Sequence, residues 1–156
     1  MKLATDLIER LSARRRTLAV AESCTGGLLA GRITAVPGAS RVFVGGVVAY
    51  ANEAKRRLLR VPARTLASAG AVSSATAHAM ARGARRRLRA DLAAAVTGVA
   101  GPSGGSPRKP VGLVFVAVAD GRSTTVVRHQ FEGDRDAIRR QACDAALRLL
   151  LERATA

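Results

Sequence analysis

The chain has almost no aromatic content. Tryptophan is absent, and one tyrosine and three phenylalanines make up 3% of 156 residues. That excludes an aromatic stacking platform for single-stranded nucleic acid. There are two cysteines, Cys24 and Cys143, in separate segments, which gives no disulfide framework. The two histidines, His78 and His129, have no paired His/Cys spacing, so no metal-ligand motif is present. No apolar run approaches the ~20 residues of a membrane-spanning helix. The opening segment, Met1 to Arg16, carries Asp6 and Glu9 and lacks the apolar region of a signal peptide. A cytoplasmic protein without membrane association is expected.

Acidic residues are also scarce: 11, against 26 Lys and Arg, for a formal net charge of +15. Such a charge attracts polyanions non-specifically. Its runs (Arg14-Arg15-Arg16, Arg56-Arg57, Arg85-Arg86-Arg87) fall on or at the ends of expected helices. No helix-turn-helix, zinc-finger or RNP pattern accompanies them, so no dedicated nucleic-acid site is expected. Lysine is rarer still, at Lys2, Lys55 and Lys109 only. Arginine cannot practically release a proton, whereas lysine can when its pKa is lowered. A lysine in this arginine-rich chain hints that an amine is needed.

Hydrophobic residues reach 48%, enough for one domain, residues 1–156, with a real core. Residues 2–15 have Leu3, Leu7, Ile8 and Leu11 at helical spacing. Leu18 to Ala21 and residues 42–50 read as buried strands, the second with a Gly45-Gly46 irregularity. Asn52 is placed to cap a helix that Pro62 stops, and Ala63 to Gly70 makes a short helix. Ser73 or Ser74 opens a long helix to about Leu88, whose small face (Ala77, Met80, Ala81, Ala84) suits close packing on a sheet. Leu92 to Thr97 is a strand. Val111 to Asp120 and Ser123 to Phe131 form a hairpin about Asp120-Gly121, and Asp134 caps a final helix. This order predicts an α/β fold, a three-layer α/β/α sandwich with a mixed sheet.

One stretch organises the rest: Thr17 to Thr34, TLAVAESCTGGLLAGRIT. An apolar strand enters a turn holding Glu22, Ser23, Cys24, Thr25, Gly26 and Gly27, and a helix follows. α/β folds put chemistry at such junctions. A hydroxyl there can attack a carbonyl while the amides of Thr25 to Gly27 hold the oxyanion. Equally, Ser23 or Thr25 can be a plain helix cap. Two other groups belong at strand ends and can share the crevice: Tyr50 through Lys55, and Thr97 through Gly105. Lys55 is either a general base for Ser23, with its pKa lowered by burial or by neighbouring cations, or a surface lysine paired with Glu53 or Glu22. The glycines at 98, 101, 104 and 105 let backbone amides approach an anion. No Gly-Lys-Ser/Thr follows them, which excludes a Walker A loop. Cys24 rivals Ser23 as nucleophile but has no histidine partner in view.

Five ordered motifs then carry a resemblance: AESCTGGLLAGRIT, GASRVFVGGVVAYANEAKRRLLRV, GAVSSATAHAMARGA, AVTGVAGPSGGSPRKPVGLVFVAVA and FEGDRDAIRRQA. Together they resemble the CinA-type C-terminal domain, the nicotinamide-nucleotide amidohydrolase family, over about residues 3 to 152. The resemblance implies hydrolysis of the carboxamide of nicotinamide mononucleotide to nicotinate mononucleotide and ammonia, without a metal or other cofactor. It implies Ser23 as nucleophile, Lys55 as base and Tyr50 beside them. Thr97 and an arginine of GDRDAIR (Arg135, or Arg139) are implied at the site, as is Ser40. It also suggests a homodimer. Thr25, Gly26, Gly27, Gly98, Gly101, Gly104 and Gly105 are the backbone positions expected to meet substrate, from the glycine physics above. Two alternatives remain at this level: an amidase acting on a different small amide, and a non-catalytic competence- or DNA-damage-associated binding module.

Overall fold

Alternation along the strands sorts the core into two chemically different faces. On one lie Leu18, Val20, Leu92, Ala94, Val96, Val114, Val116 and Val118. On the other lie Ala19, Ala21, Ala93, Ala95, Ala117 and Ala119. Successive strand residues point to opposite sides, so each face needs its own helical cover. In the computed structural model, which describes residues 1–155, each face has one.

The elements run α1 (Lys2–Ala13), β1 (Leu18–Glu22), α2 (Leu28–Thr34), β2 (Phe43–Val48), α3 (Asn52–Leu59), α4 (Ala63–Ser68), α5 (Ser74–Arg87), β3 (Leu92–Gly98), β4 (Leu113–Ala119), β5 (Thr124–Gln130) and α6 (Arg135–Thr155), with a 3-10 turn at Ala39–Arg41. The sheet order is β2-β1-β3-β4-β5. β1 pairs parallel with β2 and β3, while β3–β4 and β4–β5 are antiparallel. Helices α1, α2 and α6 cover the Leu/Val face, with Leu7, Leu11, Leu29, Ile33, Ile138, Leu147 and Leu150 buried there. The alanine face receives α5 through Ala77, Met80, Ala81 and Ala84. Small residues on both sides let the helix lie close to the sheet, as its small face predicted. The fold is the expected α/β/α sandwich with a mixed, open sheet.

Three local expectations change. β2 is an edge strand, not a buried one, and Val44 and Val48 are exposed. The two glycines between its valines hid the half-exposed alternation of an edge. Asn52 is the first residue of α3 rather than its cap; Ala51 precedes it, with no side-chain cap. Neither Ser23 nor Thr25 caps α2: its N-cap is Gly27, with φ 101°. Other caps fall as read. Ser73 Oγ accepts from Thr76 N (3.1 Å) and Asp134 Oδ1 from Ala137 N (2.8 Å).

Because β1, β2 and β3 are parallel, their C-terminal ends lie along one sheet edge. That edge gathers Glu22 and Ser23, Ala49 and Tyr50, and Thr97 and Gly98. Open α/β sheets bind ligands in the crevice at such an edge.

Candidate active site

The turn from β1 to α2 is pinned from several sides. Ser23 N–H donates to Val96 O of β3 (3.0 Å), continuing the ladder one residue past the strand. Gly26 takes φ +58° and Gly27 φ +101°, left-handed values that favour glycine, so the chain can turn back into α2. From α6, Arg139 Nε donates to Cys24 O (3.2 Å) and Nη2 to Thr25 O (2.8 Å).

Lys55 approaches from α3. It stands one turn before Leu59 on the helix's buried stripe, and both residues are about 1% exposed. Its Nζ donates to Ala49 O (3.0 Å), Tyr50 O (2.8 Å) and Ser23 Oγ (2.9 Å). Burial lowers its pKa from the ordinary lysine value, opposed by the nearby Cys24 thiol. The surface-lysine alternative is thereby overturned. Glu53 pairs instead with Arg56 (3.2 Å) and Arg57 (3.4 Å). Glu22, 1% exposed, gives its carboxylate to the backbone: Oε2 accepts from Gly27 N and Leu29 N (3.0 Å each) and Oε1 from Ala30 N (2.8 Å).

Ser23 is 8% exposed, more than Lys55 or Glu22, which are 1% exposed. Cys24 beside it is a poor rival. Burial pushes its thiol up to about 11, with Glu22 adding to the rise, so thiolate is scarce near neutral pH. Cys143, on the buried face of α6, is pushed up to about 12 by burial.

Over this pair, Arg135 Nη2 donates to the hydroxyl of Tyr50 (3.2 Å), and its Nη1 donates to Gly101 O (2.7 Å). One guanidinium therefore ties the glycine-rich loop to the sole tyrosine, a residue 61% exposed. The structure separates the two arginines that sequence left as alternatives. Arg139 is spent on the turn that holds Ser23, while Arg135 is exposed at the rim.

The remaining expected site residues divide. Thr97 is buried at the end of β3, and its hydroxyl donates to Ala71 O (2.8 Å), bracing the loop before α5. Thr25 lies fully enclosed beneath the turn, its Oγ1 unpartnered among the described residues. The oxyanion donors expected at Thr25 to Gly27 are largely committed: Gly27 N–H to Glu22, and Gly26 N–H to Ser23 O (3.1 Å). Among the described residues, the amides of Cys24 and Thr25 have no partner, and of these two residues only Cys24 reaches the surface. In the second loop, a side chain on Gly98 would strike Val114 and Leu113 O, and one on Gly101 or Gly105 would strike Val111. Packing therefore already accounts for these three glycines. Gly104, with φ +86°, has open space around it. Ser40 lies before the start of β2, at the opposite sheet edge, and the chain does not bring it to Ser23.

Comparison with known proteins identifies the family. The family model for the CinA C-terminal domain matches residues 1–154. The chain belongs to the CinA C-terminal domain family. A CinA-like protein of Geobacter metallireducens is 61% identical over 123 residues, covering 79% of this chain and 30% of that protein. One from Anaeromyxobacter sp. (strain K) is 55% identical over 144 residues, covering 92% and 35%. The chain thus spans about a third of the length of these curated CinA-like relatives. Among solved structures, the competence/damage inducible protein CihA of Agrobacterium tumefaciens superposes with a TM-score of 0.95 at 42% identity, covering 97% of this chain and 93% of that one. A CinA superfamily protein of Klebsiella pneumoniae gives 0.95 at 38% identity, covering 99% and 96%. Among the described residues, no helix of this CinA-family chain is long and apolar enough to cross a membrane.

Sequence reasoning missed Glu22 as part of the site. The available signal was a lone acid closing the apolar run Leu18-Ala19-Val20-Ala21, just before a glycine-containing turn.

Proposed function

We propose that the chain is a serine–lysine amidohydrolase that removes the carboxamide nitrogen of nicotinamide mononucleotide. The observation that carries this reading is the 2.9 Å contact between Lys55 Nζ and Ser23 Oγ, with Lys55 buried and held by two carbonyls. A protonated amine donates to all three oxygens. A neutral amine keeps two N–H bonds to Ala49 O and Tyr50 O and turns its lone pair toward the serine hydroxyl. The same cage thus serves both states of a base.

The steps follow from that pair. Neutral Lys55 takes the hydroxyl proton as Ser23 Oγ attacks the amide carbon. Among the described residues the Cys24 amide has no acceptor, and it is the donor this reading assigns to the oxyanion. Collapse breaks the C–N bond, and Lys55 returns its proton to the departing nitrogen, releasing ammonia. Water then attacks the serine ester with Lys55 again as base, freeing the acid product and Ser23.

The rim favours a phosphorylated, ring-bearing substrate. Tyr50 is exposed with the Arg135 guanidinium on its hydroxyl, and the same guanidinium reaches the Gly98 to Gly105 loop at Gly101 O. The net charge of +15 draws anionic molecules to the surface, an effect that salt weakens. A cytoplasmic, homodimeric protein fits this reading.

The test is ammonia release from nicotinamide mononucleotide beside nicotinamide riboside and nicotinamide. Fast release from the mononucleotide alone, with nicotinate mononucleotide as product, supports the assignment. Release from another small amide instead keeps the site and moves the substrate.

A further inference from the structure

Glu22 has no catalytic part in the steps above, yet it is the most heavily engaged carboxylate near them. It is 1% exposed and accepts three backbone N–H bonds of 2.8 to 3.0 Å. Among the described residues no Lys, Arg or His forms an ion pair with it. Burying a carboxylate costs free energy unless its lone pairs are satisfied, and here amides alone satisfy them.

Its main chain is engaged as well. Glu22 O accepts from Ala49 N (2.8 Å), and Ala49 O in turn accepts from Lys55 Nζ (3.0 Å). One residue is thereby joined to both halves of the reacting pair. Its peptide bond leads into Ser23, its carboxylate holds the far end of the turn at Gly27, and its carbonyl orders the strand end that cages Lys55.

The division of labour with Arg139 is complementary. Arg139 holds the turn's carbonyls at Cys24 and Thr25, and Glu22 holds the amides beyond them. By occupying the amides of Gly27, Leu29 and Ala30, Glu22 takes three donors away from any external anion. The amide next to the nucleophile, that of Cys24, is left open. This is the position that supplies an oxyanion donor when a serine sits on a strand-to-helix turn.

We infer that Glu22 is a positioning residue: its carboxylate fixes the Ser23 turn so that Oγ meets Lys55 and the Cys24 amide faces the reaction. This rests on the Ser23–Lys55 reading but not on the choice of substrate. A helix cap alone would predict lost stability with unchanged chemistry. A positioning role predicts lost chemistry at nearly unchanged substrate affinity, because misplacement by about 1 Å costs about 100-fold in rate.

The experiment compares the wild type with Glu22→Gln, Glu22→Asp and Asp91→Ala. Asp91 ties Thr17 at the opposite sheet edge (2.8 and 2.9 Å), so its variant lowers stability without touching the site. Two readouts are taken on folded protein: kcat and KM for ammonia release, and the rate at which a fluorophosphonate modifies Ser23, followed by intact mass. Glu22→Gln keeps the shape but sets an NH2 group against an amide. It is expected to lower kcat and the labelling rate by about 100-fold with KM within about threefold. Glu22→Asp should recover part of both, and it serves alone if the Gln variant does not fold. Asp91→Ala should lose neither. Glu22 variants with wild-type kcat and labelling rate, whatever their Tm, would overturn the inference. If the wild type leaves nicotinamide mononucleotide intact but labels at Ser23 in a Glu22-dependent way, the inference stands and the substrate assignment falls.

Discussion

Lys55 Nζ lies 2.9 Å from Ser23 Oγ, although 32 residues separate them. The contact exists because two parallel strands end side by side. β1 delivers Ser23, β2 delivers the carbonyls of Ala49 and Tyr50, and the first turn of α3 drops Lys55 onto both. Two of the amine's three acceptors are backbone carbonyls, held in place by the strand end rather than by neighbouring side chains.

Burial lowers the pKa of Lys55, so the neutral form, the base of the proposed reaction, appears at lower pH than for a free lysine. kcat/KM should rise with pH along a single limb whose midpoint falls below the free-lysine value of ~10.4. A pH-rate profile checks this.

The same shift has a stability consequence. Between the lowered folded pKa and the unfolded value of ~10.4, the unfolded chain binds more protons, so stability rises with pH through that window. Below the folded pKa the penalty for keeping Lys55 protonated is fully present. Lys55→Met removes the group. Urea melts across pH 7 to 10 should show the wild type gaining stability relative to this variant as pH rises.

Gly83 of α5 lies against the carbonyl of Leu59 at the end of α3, and a methyl group there would overlap that oxygen. Gly83→Ala must push α3 outward, and Lys55 with it. Overpacking of this kind costs about 1–3 kcal/mol, more than the helix-propensity gain of about 1 kcal/mol. The variant should melt earlier and, while still folded, lose more activity than Asp91→Ala does.

Arg135 reaches both Tyr50 Oη and Gly101 O. Arg135→Ala frees the loop and the ring together, whereas Tyr50→Phe loses only one exposed hydrogen bond. The first should raise KM at least tenfold and the second only a few-fold. Steady-state kinetics on the two variants separate these effects.

Much of this was legible because the strands announce themselves. Leu18 to Ala21 and Leu92 to Thr97 are apolar runs too short for helices, and the small face of α5 foretold its closeness to the sheet. The edge position of β2 was not legible, because Gly45 and Gly46 interrupt the alternation that marks a half-exposed strand. The burial of Lys55 was masked by Arg56 and Arg57, which make α3 read as a solvated face. Its spacing of four from Leu59 was the usable clue. Glu22 was harder to read, since a buried carboxylate satisfied by amides leaves no partner in the sequence. Ser40 came from family resemblance alone, and the chain places it at the other end of β2.

The most direct measurement is ammonia release from nicotinamide mononucleotide by the wild type, Ser23→Ala, Cys24→Ala and Lys55→Arg, each shown to be folded. The account predicts loss of turnover in the Ser23 and Lys55 variants and near-wild-type turnover in Cys24→Ala, whose thiol burial keeps protonated. Turnover that survives in Ser23→Ala or Lys55→Arg, or that disappears only in Cys24→Ala, would contradict it.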